Sequence, residues 1–261
     1  MKTRVTALIL FGSLILAACG TPPATPPAEV SAAVTPPATP PAEVSAAATP
    51  PTTLAVEGAR AVSFVTEDGV TLGGTLYGSG STAVIFSHML PTDQTSWTAM
   101  ARELAGRGYL VLTYDFRGYG ASQGKKEVSQ SDRDLRAAVA FVRTQGVAKL
   151  VLVGASMGGM ATAKVAAVEK PTAVVIISAP ASFQGLTVSD DEVQAITAPK
   201  LFIGSEGDGA TRTTLHMFEV APEPKEKHIY PGSGHGTFIF DSEYDADLKQ
   251  RLIEFIEAAT R

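Results

Sequence analysis

One stretch constrains this chain more than any other: Leu150-Val-Leu-Val153-Gly154-Ala-Ser156-Met-Gly158-Gly-Met160. Leu150 to Val153 is a short apolar run rich in β-branched side chains, which predicts a strand covered on both faces. Met160 to Glu169 is Ala-rich and predicts a helix seated closely on a sheet. A strand that turns straight into a helix holds its central residue in a strained backbone conformation. Side chains two positions to either side would collide there, so glycine is wanted at 154 and 158. The Ser156 hydroxyl is then lifted clear of the sheet, and the first N–H groups of the helix point at whatever it attacks. In a chain with 24 glycines these five residues alone also fit a plain Gly-rich turn. The strand before them and the helix after them give the motif its meaning.

The rest of the chain repeats that alternation. Ala61–Val65 and Thr71–Tyr77 flank a hairpin signal, Glu67-Asp68-Gly69. Strands are predicted at Thr82–Phe86, Tyr109–Tyr114, Ala173–Ser178, Lys200–Ile203 and Lys227–Tyr230. Helices are predicted at Trp97–Ala105, at Asp134–Val142 with a cap near Ser131, around Thr213–Phe218, and at Asp247–Ala259. Repeated strand–helix units imply an α/β fold, a mostly parallel sheet with helices on both faces. Ligands in such sheets bind at the carboxyl ends of the strands. Between Pro180 and Ala198 there is little room for a large cap domain, so an open, shallow site is expected.

Three side chains with matching chemistry follow strand ends. A serine hydroxyl is a weak nucleophile at neutral pH and needs an adjacent base. His235, in Gly-Ser-Gly234-His235-Gly236, lies in a loop free to reach over the strand ends and can take and return a proton. An acid should orient the imidazole. Asp208 is the first choice, with Glu206 its rival and Asp241 a weaker one because it lies beyond His235. His216 falls on a predicted helix and His228 within a predicted strand, so neither competes as the base.

The order Ser156, Asp208, His235 resembles the α/β-hydrolase superfamily over nearly all of residues 56–261. Ser87-His88-Met89, Tyr114-Asp115-Phe-Arg117-Gly118-Tyr119-Gly120 and Gly-His235-Gly-Thr are similar to small bacterial serine esterases and dienelactone-hydrolase-like proteins. Dienelactone hydrolases proper carry a cysteine where this chain has Ser156. The resemblance implies a carboxylesterase-like serine hydrolase with an acyl-enzyme on Ser156. Peptidase or thioesterase activity on the same residues is the alternative, since the three side chains do not choose the leaving group. A catalytically silent surface binding module is the reading from a different class. An oxyanion site needs two N–H donors. Met157 supplies one, and Leu90, with Met89 second, supplies the other from the segment that stands in place of the family's His-Gly-x. His88 and Arg117 read as structural residues of their loops.

The N-terminus carries a separate message. Met1-Lys-Thr-Arg4, an apolar run from Val5 to Ala18, and a small-residue zone read as an export signal over residues 1–18. The run is shorter than the ~20 residues that span a bilayer. Leu16-Ala17-Ala18-Cys19 resembles the bacterial lipobox, which implies cleavage before Cys19 and lipid on it. The expected product is anchored to the cell envelope, on its periplasmic or extracellular face. Cys19 is the single cysteine, so no internal disulfide can form. Residues 19–55 are rich in Pro, Ala and Thr, and Thr21–Val34 recurs as Thr35–Ala48 with only the last residue changed. Such a segment cannot form a core and predicts an extended tether. Residues 56–261 then form one domain. A net charge of −5 argues against a nucleic-acid partner. The four histidines lack zinc spacing, and no Gly-rich phosphate loop precedes a Lys-Ser/Thr pair. No cofactor or metal is expected, and a small-molecule ester is the expected partner.

Overall fold

The computed structural model describes residues 58–261. The expected export signal, Cys19 and the expected tether of residues 19–55 lie outside the described residues.

The chain opens with an antiparallel hairpin, β1 (Ala59–Val65) and β2 (Thr71–Tyr77), and continues through β3 (Thr82–Ser87), α1 (Thr98–Gly106), β4 (Leu110–Tyr114) and α2 (Ser131–Arg143). Then come β5 (Lys149–Ala155), α3 (Met157–Glu169) and β6 (Ala173–Ile177). A small hairpin, β7 (Ser182–Phe183) and β8 (Leu186–Thr187), and a short helix α4 (Asp190–Gln194) precede β9 (Lys200–Ser205). The chain closes with α5 (Thr211–Val220), β10 (Lys225–Tyr230) and α6 (Asp245–Thr260). Eight strands form one sheet in the order β1-β2-β4-β3-β5-β6-β9-β10. Every pairing from β4 through β10 is parallel. β5, which leads to Ser156, therefore has parallel neighbours on both sides.

Alternation along the strands divides the core into two layers. Ile85, Leu152, Ile176 and Phe202 face Leu135 of α2, Met160 of α3 and Met217 of α5. Their neighbours Val84, Val151, Val175 and Leu201 face Trp97, Met100 and Leu104 on one side of the chain, and Leu248, Leu252 and Ile256 of α6 on the other. Both faces are covered, which is why these strands read as unbroken apolar runs. α3 is buried along most of its length, from Met157 to Ala166, and its Ala and Gly residues let it sit close to the sheet.

Two details differ from the sequence expectation. Ser131 does not cap α2. It is the first helical residue, fully buried, and the chain enters through a tight turn at Val128–Gln130, with Gln130 at the cap position and no side-chain bond there. Asp132 and Asp134 occupy the first turn and complement the helix dipole instead. The segment between β6 and β9 also holds elements that the sequence expectation does not include, β7, β8 and α4. Leu186, Val188 and Val193 anchor it in the core, and Ser189 and Glu192 close a capping box on α4. It remains too small to form a cap domain.

Candidate active site

The turn at Ser156 takes the strained form expected of it. Ser156 has φ +50° and ψ −115°, a region that non-glycine residues rarely occupy. The flanking bonds over-determine it: its N–H donates to the Ile177 carbonyl (2.8 Å), and its carbonyl accepts from the Met160 N–H (2.9 Å). A Cβ at residue 154 would lie 2.2 Å from the Gly158 carbonyl oxygen, so the collision across the turn is real. Residue 158 is restricted by a different neighbour. Its Cβ would lie 2.3 Å from the Ser87 carbonyl oxygen and 2.6 Å from that of His88. The start of α3 is thus packed directly against the backbone of the loop after β3.

The structure brings Ser156, His235 and Asp208 into contact. His235 Nε2 lies 2.8 Å from Ser156 Oγ, and His235 Nδ1 lies 3.0 Å from both carboxylate oxygens of Asp208. A carboxylate facing Nδ1 accepts from it, which leaves Nε2 as the acceptor for the serine hydroxyl. Asp208 sits in the turn after β9. Its Oδ1 also accepts the Ala210 N–H (3.0 Å), and its side chain is 6 % exposed. The imidazole is 33 % exposed, so the contact is open on one side. Glu206 is exposed, as is Asp241, and neither meets His235 among the described bonds. His216 pairs with Asp190 (2.9 Å) on the exposed face of α5, and His228 faces Asp247 at 4.0 Å.

The two predicted N–H donors are placed by separate means. Met157 is the first residue of α3, so its N–H has no acceptor within the helix. Leu90 is placed through His88. The Phe116 N–H donates to His88 Nε2 (3.1 Å), which puts the ring proton on Nδ1, and Nδ1–H donates to the Met89 carbonyl (2.9 Å). Thr92 Oγ1 donates to the same carbonyl (3.0 Å). In a trans peptide the next N–H points the opposite way, so fixing the Met89 carbonyl also aims the Leu90 N–H. Among the described residues that N–H donates to no other group. His88 is fully buried, and burial holds its pKa below the ordinary histidine value, consistent with a neutral ring. Met89 is fully buried as well.

Arg117 braces the loop after β4. Its guanidinium bonds both Asp134 (2.7 and 2.9 Å) and Asp68 (2.8 and 3.1 Å), and its backbone N–H donates to Asp134 (2.9 Å). The hydrogen bond from Arg117 holds the Asp68 carboxyl well below the usual range. Burial pushes Asp134 up, against the pull of the same guanidinium. Asp115, one turn away, accepts from Gln94 N–H and Nε2 and from Ala121 N–H. Lys126 lies over the Tyr119 ring at 4.4 Å, on the same loop. A cavity of about 280 Å³ lies behind the His235 loop, lined by Ser205, Gly232, Ser233 and Tyr244, and Ser156 is not in its wall.

This sheet order, with a strand–turn–helix at its centre and functional side chains beyond the strand ends, is the α/β-hydrolase fold. A family model described as serine aminopeptidase, S33, matches residues 81–190, within the same fold. An uncharacterised protein of Mycobacterium tuberculosis is 28% identical over 205 residues, covering 67% of this chain and 72% of that protein. The human α/β hydrolase domain-containing protein 17B is 27% identical over 186 residues, covering 64% of this chain and 65% of its own length. Among solved structures, an esterase of Pyrococcus furiosus superposes with a TM-score of 0.66 at 20% identity, covering 78% of this chain and 91% of that one. A thermophilic esterase of Thermogutta terrifontis does so with a TM-score of 0.65 at 18% identity, covering 77% and 100%.

Proposed function

We propose that this chain is a serine hydrolase that cleaves carboxylic esters of small to medium acyl length through an acyl-enzyme on Ser156. His235 Nε2 takes the Ser156 proton as Oγ bonds to the acyl carbon, and the carbonyl electron pair moves onto oxygen. Met157 and Leu90 N–H groups receive that oxyanion. Asp208 keeps the Nδ1 proton in place and stabilises the imidazolium. Collapse of the intermediate breaks the ester C–O bond, and His235 returns the proton to the leaving alkoxide. Water then repeats the sequence against the acyl-enzyme, releasing the carboxylate and restoring Ser156. The observation that carries this reading is the 2.8 Å approach of Nε2 to Oγ with a buried carboxylate behind the ring.

Short acyl p-nitrophenyl esters should be hydrolysed by the purified protein, and Ser156→Ala should abolish turnover and labelling by a fluorophosphonate. Retained turnover in Ser156→Ala rules the mechanism out. Folded wild-type protein that neither labels nor turns over is instead a silent binding module. A second reading, peptide-bond cleavage, is favoured by the family match to serine aminopeptidases. Thioester cleavage is the other alternative on the same residues. Amide and thioester analogues run beside the esters separate the three. We also infer export and anchoring through lipidated Cys19, supported by Leu16-Ala-Ala-Cys19 after the apolar run. Cys19→Ser should move the protein out of the membrane fraction; unchanged fractionation rejects the anchor.

A further inference from the structure

Residue 89 stands at the start of the loop that carries the Leu90 N–H, and its side chain does not stay with that loop. The thioether runs across to the turn that follows His235. Met89 Sδ accepts the Thr237 N–H at 3.4 Å, across 148 positions of sequence. Gly236 lies against the same sulfur. A Cβ at Gly236 would be 2.5 Å from Met89 Sδ and 3.3 Å from the Cβ of Ala155, the residue before Ser156. Gly236 has φ +57°, and Thr237 is buried. One side chain therefore joins the loop that carries the Leu90 N–H to the turn after His235, and Gly236 of that turn sits between its sulfur and Ala155. A thioether is flexible enough to fill such a junction and is a weak acceptor for the buried N–H.

We propose that Met89 is a positioning residue: its thioether is the seat on which the Gly236–Thr237 turn rests, and that seat sets where the His235 ring meets Ser156. This rests on the proposed serine hydrolase mechanism and goes beyond it, since Met89 enters that mechanism only as a second choice for its backbone N–H. The proposal assigns its importance to the side chain. Gly236 is small because the sulfur occupies the space where its Cβ would be.

The test is a double-mutant cycle between Met89→Ala and Gly236→Ala, read by steady-state kinetics on a p-nitrophenyl ester and by thermal denaturation. Gly236→Ala sets a methyl against the sulfur of the fully buried Met89, and where the thioether holds its place the turn must yield; a displacement on the order of 1 Å at the imidazole costs about 100-fold in kcat, with KM within about twofold. Met89→Ala removes the seat and also lowers kcat. In the double variant the added methyl no longer meets sulfur, so kcat should exceed the product of the two single effects by about fivefold or more. The left-handed strain of an alanine at 236 is common to both backgrounds and cancels in the cycle. Strictly multiplicative losses overturn the proposal. If Gly236→Ala does not fold, Met89→Leu decides. It keeps the volume and deletes the acceptor, and should lower kcat and shift the kcat/KM pH profile while KM holds; unchanged kcat and profile overturn the seat. An inactive wild type defeats the hydrolase reading itself. An active wild type that loses activity in Ser156→Ala, yet tolerates these Met89 changes, defeats only this inference.

Discussion

Gly158→Ala is the most demanding test of how the site is assembled. The added Cβ would stand 2.3 Å from the Ser87 carbonyl oxygen and 2.6 Å from that of His88. Both neighbours are backbone, so no side chain can swing away. Ordinary van der Waals contact begins near 3.4 Å, and the helix start and the loop after β3 must separate by about 1 Å. Those two segments carry the Met157 and Leu90 N–H groups, so the same displacement opens the proposed oxyanion site. Overpacking of this kind costs about 1–3 kcal/mol of stability. A misplacement of about 1 Å costs roughly 100-fold in rate. The expected result is a folded protein with a lower Tm, a kcat for a short p-nitrophenyl ester reduced about 100-fold, and little change in KM. Gly106→Ala is the control. Nothing lies within 4 Å of its added Cβ, and it should leave kcat unchanged and Tm equal or higher. A Gly158→Ala protein with kcat within threefold of wild type refutes the claim that these two backbone segments hold each other in register.

Two further predictions use other parts of the molecule. Asp208→Asn should leave KM for a small ester near its wild-type value and lower kcat by roughly 10⁴-fold, because the ring loses the partner that fixes its tautomer; a loss under tenfold, or a larger one in Glu206→Gln, assigns the acid wrongly. Lys200 is buried in β9 with Nζ donating to the Pro222 and Pro224 carbonyls (2.7 and 3.2 Å), and burial lowers its pKa from 10.5 to about 8. Between those values the unfolded chain holds a proton that the folded chain has released. Folding stability from this group should therefore rise with pH across that window, by up to about 3 kcal/mol. Denaturant melts of wild type and Lys200→Met at pH 7.5 and 10 check the sign, and a difference between the two proteins that does not change with pH rejects it.

What could be read from the sequence divides along a physical line. β3, β5, β6 and β9 are covered on both faces, so burial itself writes them as apolar runs. Ser156, Asp208 and His235 follow strand ends, and a parallel sheet gathers strand ends at one edge whatever the intervening lengths. Ser131 was misleading because the Val128–Gln130 turn and burial of the serine, not local capping preference, decide how α2 begins. The β7–β8 hairpin left no periodic signal, since two residues per strand are too few to show alternation. Arg117 could be guessed as a brace, but its partners could not: Asp68 is 49 positions away and Asp134 is 17.

Glycines show the same division at the level of single atoms. Gly154 and Gly158 lie two residues either side of Ser156; the turn between strand and helix demands the first, and the backbone of the loop after β3 demands the second. Gly236 follows His235 in a Gly-rich loop, where flexibility is the obvious reading. Its φ of +57° supports part of that reading, yet the tightest constraint on it is the Met89 sulfur 2.5 Å from where its Cβ would be. A methionine beside the Leu90 N–H, and a glycine far along the chain, thus form one steric unit. Neither residue announces the other, because the rule that joins them is contact across the candidate site rather than spacing along the chain. If that is right, the small-residue positions of such a site are exchangeable in pairs: space vacated at 89 can be taken up at 236, and the paired change should be better tolerated than either substitution predicts alone.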